Sequence, residues 1–236
     1  VLQDDVVAAL EGYQEAVLRS KAERPRDCAL HLRPFQLVLA PRASATLLAS
    51  IAPWVAAGTL KTDHESHLTI ADDPHAAGQV GSAPFDGAGH PTAEANLIRD
   101  GRVEGQLAGW GGHFQRPSYR ALPEIGSSNL VIRPAGSLEA PGGALLLSAA
   151  AIDVSPGAEC ALRIRRGDFL RGGEAIAPAD GLMWEGRIED LVGAVSGAGE
   201  DVRFYHCMAP VGAPSLLLSG LGRWHYQSRT NFRSSP

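Results

Sequence analysis

Apolar positions recur every three to four residues in three stretches of the chain, and each predicts a helix. In the first, Val6, Leu10, Tyr13 and Val17 share one face. Asp4 or Asp5 can cap its start, Arg19 and Lys21 suit the negative end of its dipole, and Pro25 stops it. The second spans 43–51 with Leu47, Leu48 and Ile51 turned inward, and Pro41 stands at its entry, where a missing N–H costs little. The third spans 188–195, with Leu191, Val192 and Val195 facing in.

Elsewhere the apolar runs are short and bounded by Gly and Pro, which predicts strands. They fall at 35–39, 68–70, 130–132, 144–147, 162–164 and 216–218. The clearest pair is 95–99 and 102–107, joined by Asp100-Gly101, because a two-residue type I′ turn needs positive φ at both positions. Strand and helix do not alternate as a doubly wound parallel sheet requires. The expected fold is therefore α+β, a largely antiparallel β-sheet domain with a few packed helices. One domain is expected over residues 1–222, followed by a polar, arginine-rich tail, 223–236, that frays.

Composition narrows the function classes. Of 236 residues, 44% are apolar and the formal charge is -5, with no basic cluster. That is ample material for a core and the wrong electrostatic footprint for nucleic acid. No run approaches the roughly 20 apolar residues of a membrane span. Asp4 and Asp5 stand where a secretion signal would carry positive charge. Three scattered cysteines, Cys28, Cys160 and Cys207, fit a reducing compartment, so a cytoplasmic location is expected.

Several clusters could carry chemistry. His64-Glu65-Ser66-His67 resembles a zinc motif, but its second imidazole comes at i+3, and the segment runs into a predicted strand where i and i+3 face opposite ways. A polar loop is the expected reading. His206-Cys207 could ligate zinc or pair for nucleophilic attack, yet adjacent side chains seldom converge on one point. Arg166-Gly167-Asp168 is read as a turn between strands. Gly109-Trp110-Gly111-Gly112-His113-Phe114 lacks the Lys-Ser/Thr of a phosphate loop and is read as a flexible or binding loop. There is no Gly-x-Ser-x-Gly elbow.

One ordered set of segments goes further. Leu68-Thr69-Ile70-Ala71-Asp72-Asp73-Pro74 is followed by Gly81-Ser82-Ala83-Pro84-Phe85-Asp86-Gly87-Ala88-Gly89-His90-Pro91-Thr92, and then by Asn96-Leu97-Ile98-Arg99-Asp100-Gly101. Ser128-Asn129-Leu130, Gly167-Asp168-Phe169, Gly199-Glu200-Asp201 and Gly212-Ala213-Pro214-Ser215 come later in the same order. Together they resemble the C-terminal domain of the TldD/PmbA metallopeptidase family. The motif residues carried over are Asp72, Asp73, Pro74, Pro84, Phe85, Asp86, Gly89, Thr92, Asp100, Gly101 and Asn129.

The resemblance implies cytoplasmic, bacterial peptide processing. A TldD-type chain binds zinc through His-Glu-x-x-x-His in an N-terminal region plus a late cysteine, and it works beside a PmbA-type (TldE) chain without a metal site. The present sequence lacks His-Glu-x-x-x-His and shows no counterpart of the family's N-terminal domain; Gly87-Ala88 replaces the usual acidic pair after Asp86. The expectation is a non-catalytic PmbA-like component with no catalytic or metal residue of its own. No cofactor is expected in this chain and zinc is expected in a partner chain; the partner is expected to be a TldD-like zinc-bearing chain or a second copy of this one, and the substrate a peptide. A stand-alone peptide-binding or scaffold domain is the alternative. A self-sufficient metallohydrolase using His64, His67 and either His206 or Cys207 is a third.

Overall fold

The computed structural model describes residues 36–60, 62, 65–107, 114–115, 124–135, 138, 143–154, 159–171, 174–206, 210–222 and 224–226. The helix expected around Val6 to Val17 lies outside this set, as do His64, Cys28, Cys207 and residues 108–113.

The first described element is β1 (Gln36–Leu39), whose Leu37 and Leu39 are buried. The chain turns at Ala40 into α1 (Pro41–Ala56), where Pro41 stands in the first turn and Ser44 Oγ donates to the Leu39 and Ala40 carbonyls. Leu47, Leu48 and Ile51 are buried as expected, and the helix runs a turn longer than its periodic core. It packs against β1 and β8 (Gly143–Val154) on one side. On the other it meets β3 (Ala95–Arg99), β7 (Leu130–Ile132), β13 (Arg203–His206) and β14 (Pro210–Ala213). These belong to two different sheets, so α1 is the shared hydrophobic filling between them.

The larger sheet has eight strands in the order β12 (Val195–Ala198), β15 (Leu216–Leu218), β1, β8, β9 (Glu159–Arg171), β11 (Leu182–Arg187) and β16 (Trp224–Tyr226), with β10 (Glu174–Pro178) also paired to β9. The smaller has six, in the order β13, β14, β7, β2 (Ile70–Asp72), β3 and β4 (Arg102–Val103). β5 (Phe114–Gln115) and β6 (Glu124–Ile125) form a separate pair. Most pairings are antiparallel, as expected for an α+β fold, but β1 with β8 and β7 with β14 are parallel.

Three local expectations need correction. Arg166-Gly167-Asp168 lies inside β9, not at a turn, beside a register shift in β8. A Cβ on Gly167 would come within 2.9 Å of the Leu146 carbonyl and of Ile164, so the glycine allows close backbone approach rather than chain reversal. The short helix α2 (Ile188–Gly193) stops before Val195, which opens β12 instead. Finally, Trp224–Tyr226, read as part of a frayed tail, is strand β16 against β11.

The two sheets are also stitched by backbone. His67 N–H donates to the Val195 carbonyl at 2.9 Å, and Ala135 and Ala198 exchange bonds of 2.9 and 3.2 Å.

Candidate functional site

All the motif residues but Asp100 and Gly101 lie on, or bond to, the excursion that leaves β2 at Asp72 and returns at β3. Asp72 ends β2 wholly buried, and its Oδ1 accepts the Ser128 and Asn129 amides at 2.8 and 3.0 Å. Asn129, equally buried, answers with its side chain: Nδ2 donates to the Asp73 carbonyl at 2.7 Å and to Ser82 Oγ at 3.0 Å. Asp73 N–H closes the set by donating to the Asn129 carbonyl at 2.9 Å. A buried carboxylate facing two amides is a strong, charge-assisted arrangement. It fixes the start of the excursion to the strand that enters β7.

Asp73 is held from both ends. Its Oδ1 accepts the His75 amide across Pro74, and its Oδ2 lies 3.1 Å from Arg133 Nη2, which also reaches Glu94 Oε1 at 2.5 Å. Burial works against the Arg133 charge, but the hydrogen bonds and attraction of Glu94 and Asp73 outweigh it and raise its pKa. Gly81 sits where nothing larger fits, since a Cβ there would lie 2.0 Å from the Ser128 carbonyl.

The second half of the excursion is locked by Thr92 and Asp86. Thr92 Oγ1 donates to the Ala83 carbonyl at 2.5 Å, and its amide donates to the Pro84 carbonyl. With that hydroxyl proton committed, the 3.3 Å contact to His75 Nε2 makes the imidazole the donor. Asp86 Oδ1 accepts the amides of Ala88 and His90, both at 2.9 Å, and Gly89 takes the positive φ of +87° that this tight turn requires. Phe85 pairs with Pro91 in an isolated bridge.

Asp100 and Gly101 form the expected turn between β3 and β4, with φ of +49° and +79°. It docks on the approach to β2: Gly101 N–H donates to the Leu68 carbonyl, and Thr62 Oγ1 donates to the Gly101 carbonyl.

The other candidates do not assemble. Residues 65–68 form no helix: Glu65 pairs with Arg102 at 2.6 Å, and His67 is tied through its backbone to β12. His206 is exposed at the end of β13, and its sequence neighbour Cys207 lies outside the described residues. Cys160 is a buried thiol on β9, pushed up to about 11 by burial and then by Asp153. Among the described residues, no three His, Cys, Asp or Glu side chains are grouped to hold a metal ion. Two open hollows, of about 560 and 580 Å³, lie against β11, and none of their lining residues belongs to the motif network.

Sequence reasoning found Asp72, Asp73, Asp86, Thr92 and Asn129 but missed Arg133 and Glu94, which no motif marks. It also missed that Asp201 accepts from Ser215, at 2.8 Å from the amide and 2.7 Å from the hydroxyl. Those two residues belong to separate family-like segments, and only their order, not their contact, was visible in the chain.

These observations define an α+β domain whose acidic motif braces one long excursion between two neighbouring strands, β2 and β3, of the smaller sheet. The chain belongs to the PmbA/TldA metallopeptidase C-terminal domain family, whose model matches residues 34–222. It is similar in fold to TldE from Thermococcus kodakarensis, with a TM-score of 0.69 and 19% identity over 80% of this chain and 49% of that one. A candidate modulator of a DNA gyrase from Thermotoga maritima is similar at a TM-score of 0.61 and 19% identity, covering 79% and 48%. Another from Bacteroides thetaiotaomicron follows at 0.60 and 19%, covering 80% and 46%. The chain thus spans about half the length of the solved proteins it matches. No curated protein sequence matches it. No helix among the described residues is long and apolar enough to cross a membrane.

Proposed function

We propose that this chain is the non-catalytic, PmbA/TldE-like component of a TldD/PmbA-type zinc metallopeptidase assembly, acting on peptides in the cytoplasm beside a metal-bearing chain. The observation that carries this reading is how the motif carboxylates are occupied. Asp72 faces two buried amides, Asp73 faces an amide and a guanidinium, and Asp86 closes its own turn. None is poised as a general base. Peptide hydrolysis by zinc needs a metal that lowers the pKa of bound water and a carboxylate that takes its proton. His-Glu-x-x-x-His, which supplies both in the TldD-type chain, does not occur in these 236 residues. In this reading zinc and base come from the partner, and the present chain supplies shape: a braced excursion and two sheets that help enclose a cleft.

The test is reconstitution. A TldD-like chain with His-Glu-x-x-x-His from the same genome should co-purify with this one. The mixture should cleave unstructured peptides, and zinc should be bound in proportion to the TldD-like chain. Peptide cleavage by the isolated chain, with an equivalent of zinc bound to it, would sink the reading.

A further inference from the structure

We draw no further inference here: the strongest candidate, the open hollow of about 560 Å³ beside β11 and the end of α2 that Trp184, Glu65, Glu185 and Asp190 line, is a cluster of acidic residues in which Glu65 is already paired with Arg102 and Asp190 Oδ2 accepts the Arg187 amide, and nothing further in the structure points to a ligand there.

Discussion

Removing the Asn129 side chain would strip the Asp73 carbonyl and Ser82 Oγ of the amide that donates to both. Because the site is fully buried, water cannot easily replace that donor. Asn129→Ala should therefore cost about 2–3 kcal/mol, seen as a lower urea midpoint with an unchanged slope. Asn129→Asp should cost more, since it removes the donor and sets a second carboxylate beside Asp72.

Two further residues make pH predictions with opposite signs. Burial opposes the Asp201 charge, but the bonds from the Ser215 amide and hydroxyl, with help from Arg203, hold its pKa below the usual value. Its contribution is present above the ordinary carboxylate range and is lost as pH falls through the depressed value. Asp201→Asn should cost about 1 kcal/mol at neutral pH, after allowance for its exposure, and should flatten the acid limb of the stability profile. Cys160 behaves the other way. Its thiol stays neutral in the fold up to about 11, whereas an unfolded thiol ionises near 9. Stability from this residue is thus intact below 9 and declines as pH rises from there toward 11. At pH 8, peptide mapping should find Cys160 unmodified by iodoacetamide in the native protein and modified in urea.

Among the elements, the turns and the short strands were the most legible from sequence, because their signals are local. Asp100-Gly101 between two strand-like runs demanded positive φ twice, and the fold supplies it. The strand at Leu216–Leu218 was bounded by turn residues on both sides and appears as read. The partial successes failed for tertiary reasons. Residues 102–107 looked like a full return strand, but only Arg102–Val103 pairs, because Gly105 then crosses close to the Asn96 carbonyl, where a Cβ would sit at 2.7 Å. Arg166-Gly167-Asp168 carried turn chemistry that packing against Leu146 overrode. Gly81→Ala tests the same principle in the excursion: the added methyl would meet the Ser128 carbonyl first, at 2.0 Å, and then the buried Asn129 Oδ1 at 2.7 Å. A loss of about 2–4 kcal/mol is expected, with the thermal midpoint reporting it.

The whole molecule was the least legible scale. Pattern and motif order identified an α+β domain and the residues of the brace, but nothing local encodes which strand lies beside which. The two parallel pairings and the position of α1 between the sheets are long-range facts. So is the partnership of Arg133 with Asp73 and Glu94, which joins residues up to 60 positions apart. Since His67, Val195, Ala135 and Ala198 stitch one sheet to the other, the two should not melt separately. Tryptophan fluorescence and far-ultraviolet dichroism should report one coincident transition, and two resolved steps would contradict the stitching.

β1 has a consequence for how the protein is made. Leu37 and Leu39 lie between Leu145 and Leu147 on one side and Leu218 and Leu216 on the other. While the ribosome is still short of residue 218, one flank of that four-residue segment has no partner, and its greasy side chains remain available to whatever meets the emerging chain. Nascent polypeptides arrested upstream of Leu216 should therefore be digested readily by protease and bound by holding chaperones. Resistance should arise late and abruptly, once the closing strand has cleared the exit tunnel.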